Sequence, residues 1–383
     1  MDDPDMPDWE KHADFLGDGR QVLPRCDHSK QLGSGTDASV ILYEYKVAGH
    51  CRRYAVKLPA SYADAALRTE IHNLRILSRH RRHPNIVNYL GHDDEFPTEP
   101  VGPALFLEYA DYGDLHSYCE NLFTKVRRMP EVTVWKILLD LTSAIDYIHN
   151  GLGENQAYCH SDMKPANILV FFKISDFGRM RPFFPGTYDR FNGTFEYAPP
   201  HPERENVDPA IDIWAIAASI SFAVFQTNPV ENRENFITWY NNDRQVNPGG
   251  EKLSLETKLD SCHRDIRRYL YRPLNVPKEQ QIELYQVRPS LAVEPYSNEV
   301  QHWYQRCYML EKNDRMTAVE LRIFIPRTAR TNIALYALDW RQKRHERQKI
   351  LIENERRRAG REPELPVPPV QGDLTVDYGE QDL

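Results

Sequence analysis

Two neighbouring stretches, HSDMKPANILV (residues 160–170) and KISDFG (residues 173–178), decide the fold of this chain. Phosphoryl transfer requires a protein mainly to position groups and to neutralise charge. One carboxylate must face the attacking hydroxyl, a second carboxylate and an amide must hold magnesium, and a lysine must offset charge on the migrating phosphoryl group. The two stretches supply this set in the required order, with Asp162, Lys164, Asn167 and Asp176.

These stretches resemble the catalytic loop and the metal-binding Asp-Phe-Gly of the eukaryotic protein kinase family. The resemblance implies ATP and Mg²⁺ as cofactors, with Asp162 as catalytic base and with Asn167 and Asp176 as metal ligands. Ser161 stands where the family usually has arginine, so the catalytic loop is of the non-RD type. Lys164 favours a serine/threonine protein kinase, because tyrosine-specific members usually place this cation elsewhere in the loop.

Further motifs of the same family lie upstream in the expected order. Gly33 and Gly35 belong to a stretch that resembles the glycine-rich loop, and their missing Cβ atoms let the backbone approach phosphates. On their own, these glycines would equally fit a turn between two strands. Lys57 ends an alternating strand, as in the third strand of the family, although a lysine at such a place is usually only solvated. The resemblance adds two apolar residues to the nucleotide site, Val40 and Ala55.

Lys57 requires a carboxylate partner that holds its ammonium group against the α- and β-phosphates. Residues 60–79 have helical spacing and present one apolar stripe, formed by Leu67, Ile71, Leu74 and Leu77. Glu70 lies at the edge of this stripe and is the predicted catalytic partner of Lys57. A surface glutamate is the alternative, and the long connection after the helix allows a partner that is shifted by one turn.

Residues 105–110 form an apolar strand that runs into a polar link, similar to the hinge between the two kinase lobes. By this resemblance Leu107 is the gatekeeper, while the Glu108 carbonyl and the Ala110 amide bind adenine. These are backbone contacts, so the side chains there are expected to say little about function. Asp114 falls where the family places a ribose-binding carboxylate, and capping of the following helix explains it equally well.

Residues 193–200 resemble the end of a kinase activation segment, with one departure from the family pattern. The family usually closes this segment with Ala-Pro-Glu, whose glutamate pairs with a deep arginine, and Arg315 is the candidate arginine. The glutamate position holds Pro200 or His201, and Glu203 would replace it only with local rearrangement. Loss of one partner from such a buried pair typically costs about 3–5 kcal/mol.

A second departure lies just before Asp176. Only Phe171 and Phe172 separate the two strands there, where the family normally has a polar hairpin turn. Phenylalanine does not readily adopt the φ > 0 conformations that tight hairpins prefer. We therefore expect either a differently built loop or a loss of a few residues, which would tilt Asp176 relative to Asn167.

The chain of 383 residues is 41% hydrophobic and 27% charged, with a formal net charge of −8. This composition is that of an ordinary soluble protein and argues against a nucleic-acid binder. The N-terminal residues are acidic rather than apolar, and the apolar stretch at residues 211–225 is too short to span a bilayer. Six scattered cysteines without a Cys-x-x-Cys pair indicate neither zinc nor a disulfide framework. We expect an intracellular protein, cytoplasmic or nuclear, without a membrane partner.

The predicted fold class is α+β, a two-lobed protein-kinase-like fold with a small mainly β N-lobe and a larger helical C-lobe. A basic helix near the C-terminus is expected to be a solvated face, with an anionic partner, nuclear localisation or a coiled coil as alternatives. The predicted segments are a flexible acidic N-terminal segment (1–27), the kinase domain (28–326) with its N-lobe (about 28–108), C-lobe (about 111–326) and variable insertion (about 229–296), and a charged helical extension with a proline-rich tail (327–383).

Three functions fit these observations. The favoured one is an active serine/threonine protein kinase, because no residue that the chemistry demands has been replaced. The second is a kinase-like binding or scaffold protein with little catalysis, which draws on Asp37 in the phosphate loop, Ser161, the missing glutamate and the short hairpin. The third is an enzyme that phosphorylates a small molecule. Turnover with ATP and a protein substrate separates them.

Overall fold

A computed structural model describes most of the chain, and the predictions for residues 1–26 and for most of the insertion lie outside the described residues. The described part forms a small lobe built mainly of strands, followed by a larger helical lobe, so the predicted two-lobed α+β fold is confirmed. The described residues are 27–35, 37–47, 50–60, 63–79, 82–96, 101–125, 128–152, 156–187, 189–229, 271–285, 292–360 and 362–367.

The small lobe is a five-stranded antiparallel sheet with β1 (Asp27–Ser34), β2 (Ala38–Val47), β3 (His50–Pro59), β4 (Tyr89–Phe96) and β5 (Gly102–Glu108). The strand order is β1-β2-β3-β5-β4, so β5 lies between β3 and β4. Successive side chains of a strand point to opposite faces. Accordingly, Phe106 of β5 packs in one apolar cluster with Val56, while Leu105 and Leu107 pack in the main core.

Helix α1 (Asp64–Leu77) connects β3 to β4 and packs its apolar stripe into the main core. Its buried residues recur at the spacing of three to four that one helix face requires. Two polar side chains, Glu70 and Asn73, are buried on the same helix at 2% and 4% exposure. Buried polar groups need partners, and both residues find theirs in the candidate active site.

The large lobe contains α2 (Leu115–Lys125), α3 (Glu131–Asn150), α4 (His201–Glu205), α5 (Ala210–Phe225), α6 (Lys278–Tyr285), α7 (Asn298–Cys307) and α8 (Ala318–Gly360). From Ile211 to Phe225, every residue of α5 is buried. A helix that is apolar all round belongs inside a core, and α3, α5 and α7 pack together there. In the described part of the chain, no helix has both the length and the apolar character to cross a membrane.

Two short strand pairs carry the catalytic-loop and Asp-Phe-Gly motifs. Strand β6 (Ala157–Cys159) pairs with β9 (Arg181–Phe183), and β7 (Ile168–Leu169) pairs with β8 (Lys173–Ile174). The turn between β7 and β8 includes the two phenylalanines, and both have positive φ, 77° at Phe171 and 52° at Phe172. The expectation that phenylalanine would avoid this conformation was wrong. Left-handed backbone costs about 1–2 kcal/mol per residue, and packing offsets it, because Phe172 is buried in the core.

Glu203 of α4 replaces the glutamate that the Ala-Pro-Glu pattern would have supplied. Its two carboxylate oxygens each lie 2.8 Å from a guanidinium nitrogen of Arg315, and the two side chains are 5% and 0% exposed. The remaining donors of Arg315 bind the carbonyl groups of Met309 and Ala210. The buried pair is therefore complete, and the chain reaches it by starting a short helix at His201.

The charged C-terminal helix begins earlier than the expected boundary at residue 327. Helix α8 starts at Ala318, continues through Pro326 and ends at Gly360. Its first part belongs to the large lobe, because Leu321, Ile325 and Ala329 are fully buried and α8 packs along α3.

Candidate active site

Lys57 joins β3, helix α1 and the segment that follows β8. Its Nζ lies 2.6 Å from Glu70 Oε2 and 3.0 Å from Asp176 Oδ1, and its side chain is only 13% exposed. Burial by itself would lower the pKa of Lys57, but the carboxylates of Glu70 and Asp176 outweigh it and raise the pKa above its ordinary value. Lys57 is therefore a cation that is fixed between two carboxylates. It is not the solvated surface lysine that the sequence left as the alternative.

Helix α1 also holds the backbone of the Asp-Phe-Gly segment. The Asn73 amide nitrogen donates to the carbonyl oxygens of Phe177 and Met180, at 2.7 and 2.9 Å. The Phe177 ring is fully buried, and its centroid lies 5.0 Å from that of His160. Asp176 itself has a left-handed backbone, with φ of 61°. These contacts fix the Asp176 carboxylate toward Lys57.

The Asp162 carboxylate is surrounded by donors. Its Oδ1 accepts hydrogen bonds from the backbone amide and the hydroxyl of Thr194, both at 2.7 Å. Lys164 Nζ donates to Asp162 Oδ2 at 3.1 Å and to Thr194 Oγ1 at 2.7 Å. A carboxylate has about four lone-pair directions, and these bonds hold the Asp162 side chain in one orientation beside Lys164 and the activation segment.

Asp212, in the first turn of α5, braces the catalytic loop. Its carboxylate accepts the backbone amides of His160 and Ser161 at 2.8 and 2.9 Å, and lies 3.0 Å from His149 Nε2. Burial would raise the pKa of Asp212, but the bonds from His149 and the backbone outweigh it and lower the pKa. This brace accompanies a strained residue, since Ser161 has φ of 68°.

Gly193 permits the activation segment to approach the catalytic loop. A Cβ atom at residue 193 would lie far inside van der Waals contact with the Ser161 carbonyl oxygen and with the Phe191 ring. The carbonyl is backbone and held by its neighbours, so no side-chain rotation relieves this clash. Only glycine therefore fits next to Thr194, the residue that contacts Asp162.

Asn167 and Asp176, the predicted metal ligands, flank the β7–β8 hairpin. Asn167 Nδ2 donates to the Asp162 carbonyl oxygen at 2.8 Å, so the amide oxygen is the atom that remains for a cation. The Asp176 side chain is 39% exposed and has Lys57 on one oxygen. Magnesium commonly takes one or two protein oxygens and completes its shell with water and phosphate oxygens. An amide oxygen and a carboxylate fit this ion.

Three of the predicted nucleotide-binding residues, Val40, Ala55 and Leu107, lie on strands β2, β3 and β5 of the small lobe. Ala55 of β3 is directly opposite Leu107 of β5, both 8% exposed, and Val40 is opposite Lys57. Among the described residues, and leaving aside the two chain neighbours of Gly33, no heavy atom lies within 4 Å of the place that a Cβ of Gly33 would occupy. The packing of the described residues therefore does not require glycine there, whereas a phosphate lying against the backbone would. At the second loop glycine, Gly35, the backbone amide donates to the Ala38 carbonyl oxygen.

The hinge residues differ from expectation in one respect. The side chain of Glu108 is extensively bonded, because its carboxylate accepts from Asn88 at 2.8 and 3.1 Å and from Lys173 Nζ at 2.8 Å. Beyond Ala110, the chain turns and reaches Asp114, whose carboxylate accepts the Ser117 amide at 2.9 Å. Asp114 thus caps α2, and contact with ribose stays a prediction.

Thr194, Asn73 and Arg179 also belong to the site, and the sequence motifs did not predict their contacts there. Thr194 had a signal in its place at the end of the activation segment, and Asn73 was a polar residue three positions from Glu70 on a buried helix face. Arg179 Nε lies 3.7 Å from Asp162 Oδ2, and its Nη2 lies 3.9 Å from Asp37. The sequence suggested Arg179, like Arg181 and Arg190, only as a partner for a phosphate on the activation segment, and not as a neighbour of Asp162.

Comparison with known proteins places this geometry in a family. The chain is 27% identical over 240 residues to the probable serine/threonine-protein kinase iksA of Dictyostelium discoideum, which covers 52% of this chain and 24% of iksA. It is 31% identical over 208 residues to the probable serine/threonine-protein kinase fhkC of the same organism, covering 50% of this chain and 32% of fhkC. It is 30% identical over 161 residues to the probable serine/threonine-protein kinase FMP48 of Saccharomyces cerevisiae, covering 39% of this chain and 40% of FMP48.

The chain thus spans between 24% and 40% of the length of these relatives. The protein kinase domain family matches residues 26–322, which is well over half of the chain. The match includes both lobes and all the residues that surround Lys57 and Asp162. This chain therefore belongs to the protein kinase domain family.

Proposed function

We propose that this protein is a serine/threonine protein kinase that transfers the γ-phosphoryl group of ATP to a protein hydroxyl. The observation that supports it best is the joint contact of Lys57 with Glu70 and Asp176, at 2.6 and 3.0 Å. Phosphoryl transfer depends on placing such charges before the substrates arrive. In this site, the charges of Lys57, Glu70 and Asp176 are already held in contact with one another.

Each residue has a role that its surroundings favour. Asp162 accepts the proton of the substrate hydroxyl, and Lys164, 3.1 Å away, offsets charge on the phosphoryl group. Lys57 orients the phosphates, while Asn167 and Asp176 hold magnesium. Magnesium held by Asn167 and Asp176 would supply positive charge that offsets the negative charge of the phosphate groups.

A kinase-like binding protein with little turnover is the second candidate. It is favoured by Ser161, which is buried at the place where family members usually have arginine. Purified protein with radiolabelled ATP, Mg²⁺ and a generic basic protein separates the two candidates. Transfer to serine or threonine supports the kinase, and nucleotide binding without transfer supports the binding protein.

Replacement of Asp176 by asparagine tests the metal assignment. We expect Asp176→Asn to weaken Mg²⁺-dependent ATP binding by about 10- to 100-fold, because an essential carboxylate ligand is lost. Titration of Mg²⁺ at fixed ATP, followed by calorimetry, measures this change. ADP binding in EDTA is the control and should change little. Equal Mg²⁺-dependent affinity in the two proteins would show that Asp176 is not a metal ligand.

Within the activation segment, the positive charge of Arg181 is balanced by the carboxylate of Asp189. Arg181 Nη1 lies 2.7 Å from Asp189 Oδ1, and Arg181 Nη2 donates to the Arg190 carbonyl oxygen at 3.1 Å. The segment is also tied to α4, because the Phe191 amide donates to the Arg204 carbonyl oxygen at 2.8 Å. A loop phosphate commonly orders such a segment by gripping an arginine. Here Arg181 is already paired with Asp189, which takes the place of such a phosphate.

We therefore expect activity that does not depend on phosphorylation of the activation segment. Phosphatase treatment and the Thr187→Ala/Tyr188→Phe double variant should both leave the transfer rate nearly unchanged. Asp189→Asn should lower the rate, because the Arg181 ion pair is lost. The measurement is the initial rate with one protein substrate. A large loss of rate in both phosphate-free samples would contradict this expectation.

The basic part of α8 fits a solvated helix face better than a binding site. Lys343 lies 2.7 Å from Asp339, and Arg357 lies 3.4 Å from Glu353. Such pairs along one helix neutralise part of its charge. An anionic partner for this helix and an intracellular location are also part of the proposal. Retention on a heparin column that is unchanged by replacing Arg341 and Lys349 with glutamine would exclude the anionic partner.

A further inference from the structure

The β7–β8 hairpin connects the two proposed metal ligands, since Asn167 directly precedes β7 and Asp176 follows β8 after one residue. The Ser175 amide and hydroxyl both donate to the Asn167 carbonyl oxygen, at 2.9 and 3.1 Å. These bonds join the two ends of the hairpin, so a distortion of the hairpin is transmitted to both ligands. What holds the hairpin also determines the geometry of the proposed metal site.

Lys173 holds one strand of the hairpin to the hinge. Its Nζ lies 2.8 Å from each carboxylate oxygen of Glu108, the last residue of β5. The same carboxylate accepts the backbone amide of Asn88, at 2.8 Å, and its side-chain amide, at 3.1 Å. Lys173 and Glu108 are 24% and 22% exposed. Ion pairs that are partly shielded from water and supported by further hydrogen bonds act more strongly than surface pairs.

The turn of the hairpin is held by the chain on the other side of the hinge. The Phe171 ring packs edge-on against Tyr112, with centroids 5.2 Å apart. The Val170 amide donates to the Gly113 carbonyl oxygen at 2.8 Å. Phe171 remains 42% exposed despite its left-handed backbone. Strained residues persist where the surrounding structure overdetermines them, often near functional sites.

We propose that Lys173 and Phe171 are positioning residues, which clamp the β7–β8 hairpin to the hinge and thereby set the spacing of Asn167 and Asp176. Lys173 acts through Glu108, and Phe171 acts through Tyr112. The inference rests on the proposed function in its assignment of these two residues to magnesium. It links the nucleotide-binding hinge to the metal ligands through one pair of charges.

Replacement of Lys173 by methionine tests the clamp. Mutation of the residues that hold metal ligands in place commonly lowers metal affinity by about 10- to 100-fold. We expect Lys173→Met to lower the apparent Mg²⁺ affinity at saturating ATP about tenfold. ADP binding in EDTA should change less than about twofold, because the adenine contacts are retained. Lys173→Arg should restore the Mg²⁺ affinity, and Glu108→Gln added to Lys173→Met should cause no further loss. Phe171→Leu, which removes only the ring contact, should lower the Mg²⁺ affinity in the same direction.

Lys136→Met is the matched control, because Lys136 is also 24% exposed and lies 3.2 Å from a carboxylate, that of Asp140. The clamp is refuted if Lys173→Met changes Mg²⁺ affinity no more than Lys136→Met. It is equally refuted if ADP binding in EDTA falls in the same proportion, since that would indicate general damage to the nucleotide site.

Hydrogen exchange on the nucleotide-free protein provides a readout that does not depend on activity. The Ser175 amide should exchange faster in Lys173→Met than in wild type or Lys136→Met, because its bond to Asn167 lies directly beyond the clamp. Unchanged exchange at Ser175 overturns the inference. Absence of Mg²⁺-dependent ATP binding in the wild type, with faster exchange in Lys173→Met, would instead overturn the proposed function alone.

Discussion

Asp162→Asn is expected to lower the rate of phosphoryl transfer by about 10²- to 10⁴-fold, the usual contribution of a positioned general base. An asparagine side chain still accepts the hydrogen bond from the Thr194 amide, which is 2.7 Å away. It has no useful proton affinity, however, and cannot take the proton of the substrate hydroxyl. The melting temperature should therefore change little while the single-turnover rate falls.

Asp140→Asn is the control for this experiment. Asp140 is also a buried carboxylate beside a lysine, with a side-chain exposure of 7% against 4% for Asp162, and it lies in α3, outside the catalytic loop. We expect its transfer rate to stay near that of the wild type. If Asp162→Asn retained most of the wild-type rate, Asp162 would not be the catalytic base.

Glu203→Gln is expected to lower the free energy of unfolding by about 3–5 kcal/mol, because it leaves the buried Arg315 guanidinium without its counter-charge. The two side chains meet through paired bonds of 2.8 Å and are almost excluded from water. Arg315 also lies over the Trp214 ring, 5.2 Å from the centroid, so it cannot move to solvent without disturbing the core. Urea denaturation of the variant and the wild type measures the difference.

Glu205→Gln provides a control on the same short helix. Glu205 is 52% exposed and lies 3.5 Å from Arg190, and exposed pairs contribute about 0–1 kcal/mol. The double variant Glu203→Leu/Arg315→Met should recover part of the lost stability, because it removes both buried charges. A loss from Glu203→Gln no larger than that from Glu205→Gln would mean that the pair does not stabilise the large lobe.

The pairing of Lys57 with Glu70 was predictable because both signals are local. Strand alternation placed Lys57 near the end of β3, and the spacing of apolar residues in α1 placed Glu70 beside the buried stripe. Thr194 was not predictable in the same way. Its contact with Asp162 spans 32 positions and depends on Gly193, whose missing Cβ allows two backbone segments to touch.

The sequence by itself determined the two-lobed fold and the set of groups available for chemistry, because periodicity and motif order depend on neighbours along the chain. Only the tertiary structure decided that Glu203 completes the pair with Arg315, since the start of a short helix moves that carboxylate into the place of a missing one. It also decided that Phe171 and Phe172 adopt positive φ. The sequence pattern shows only the local preference of phenylalanine for negative φ. Packing of Phe172 in the core and of Phe171 on Tyr112 offsets that preference, and this packing exists only in the folded protein.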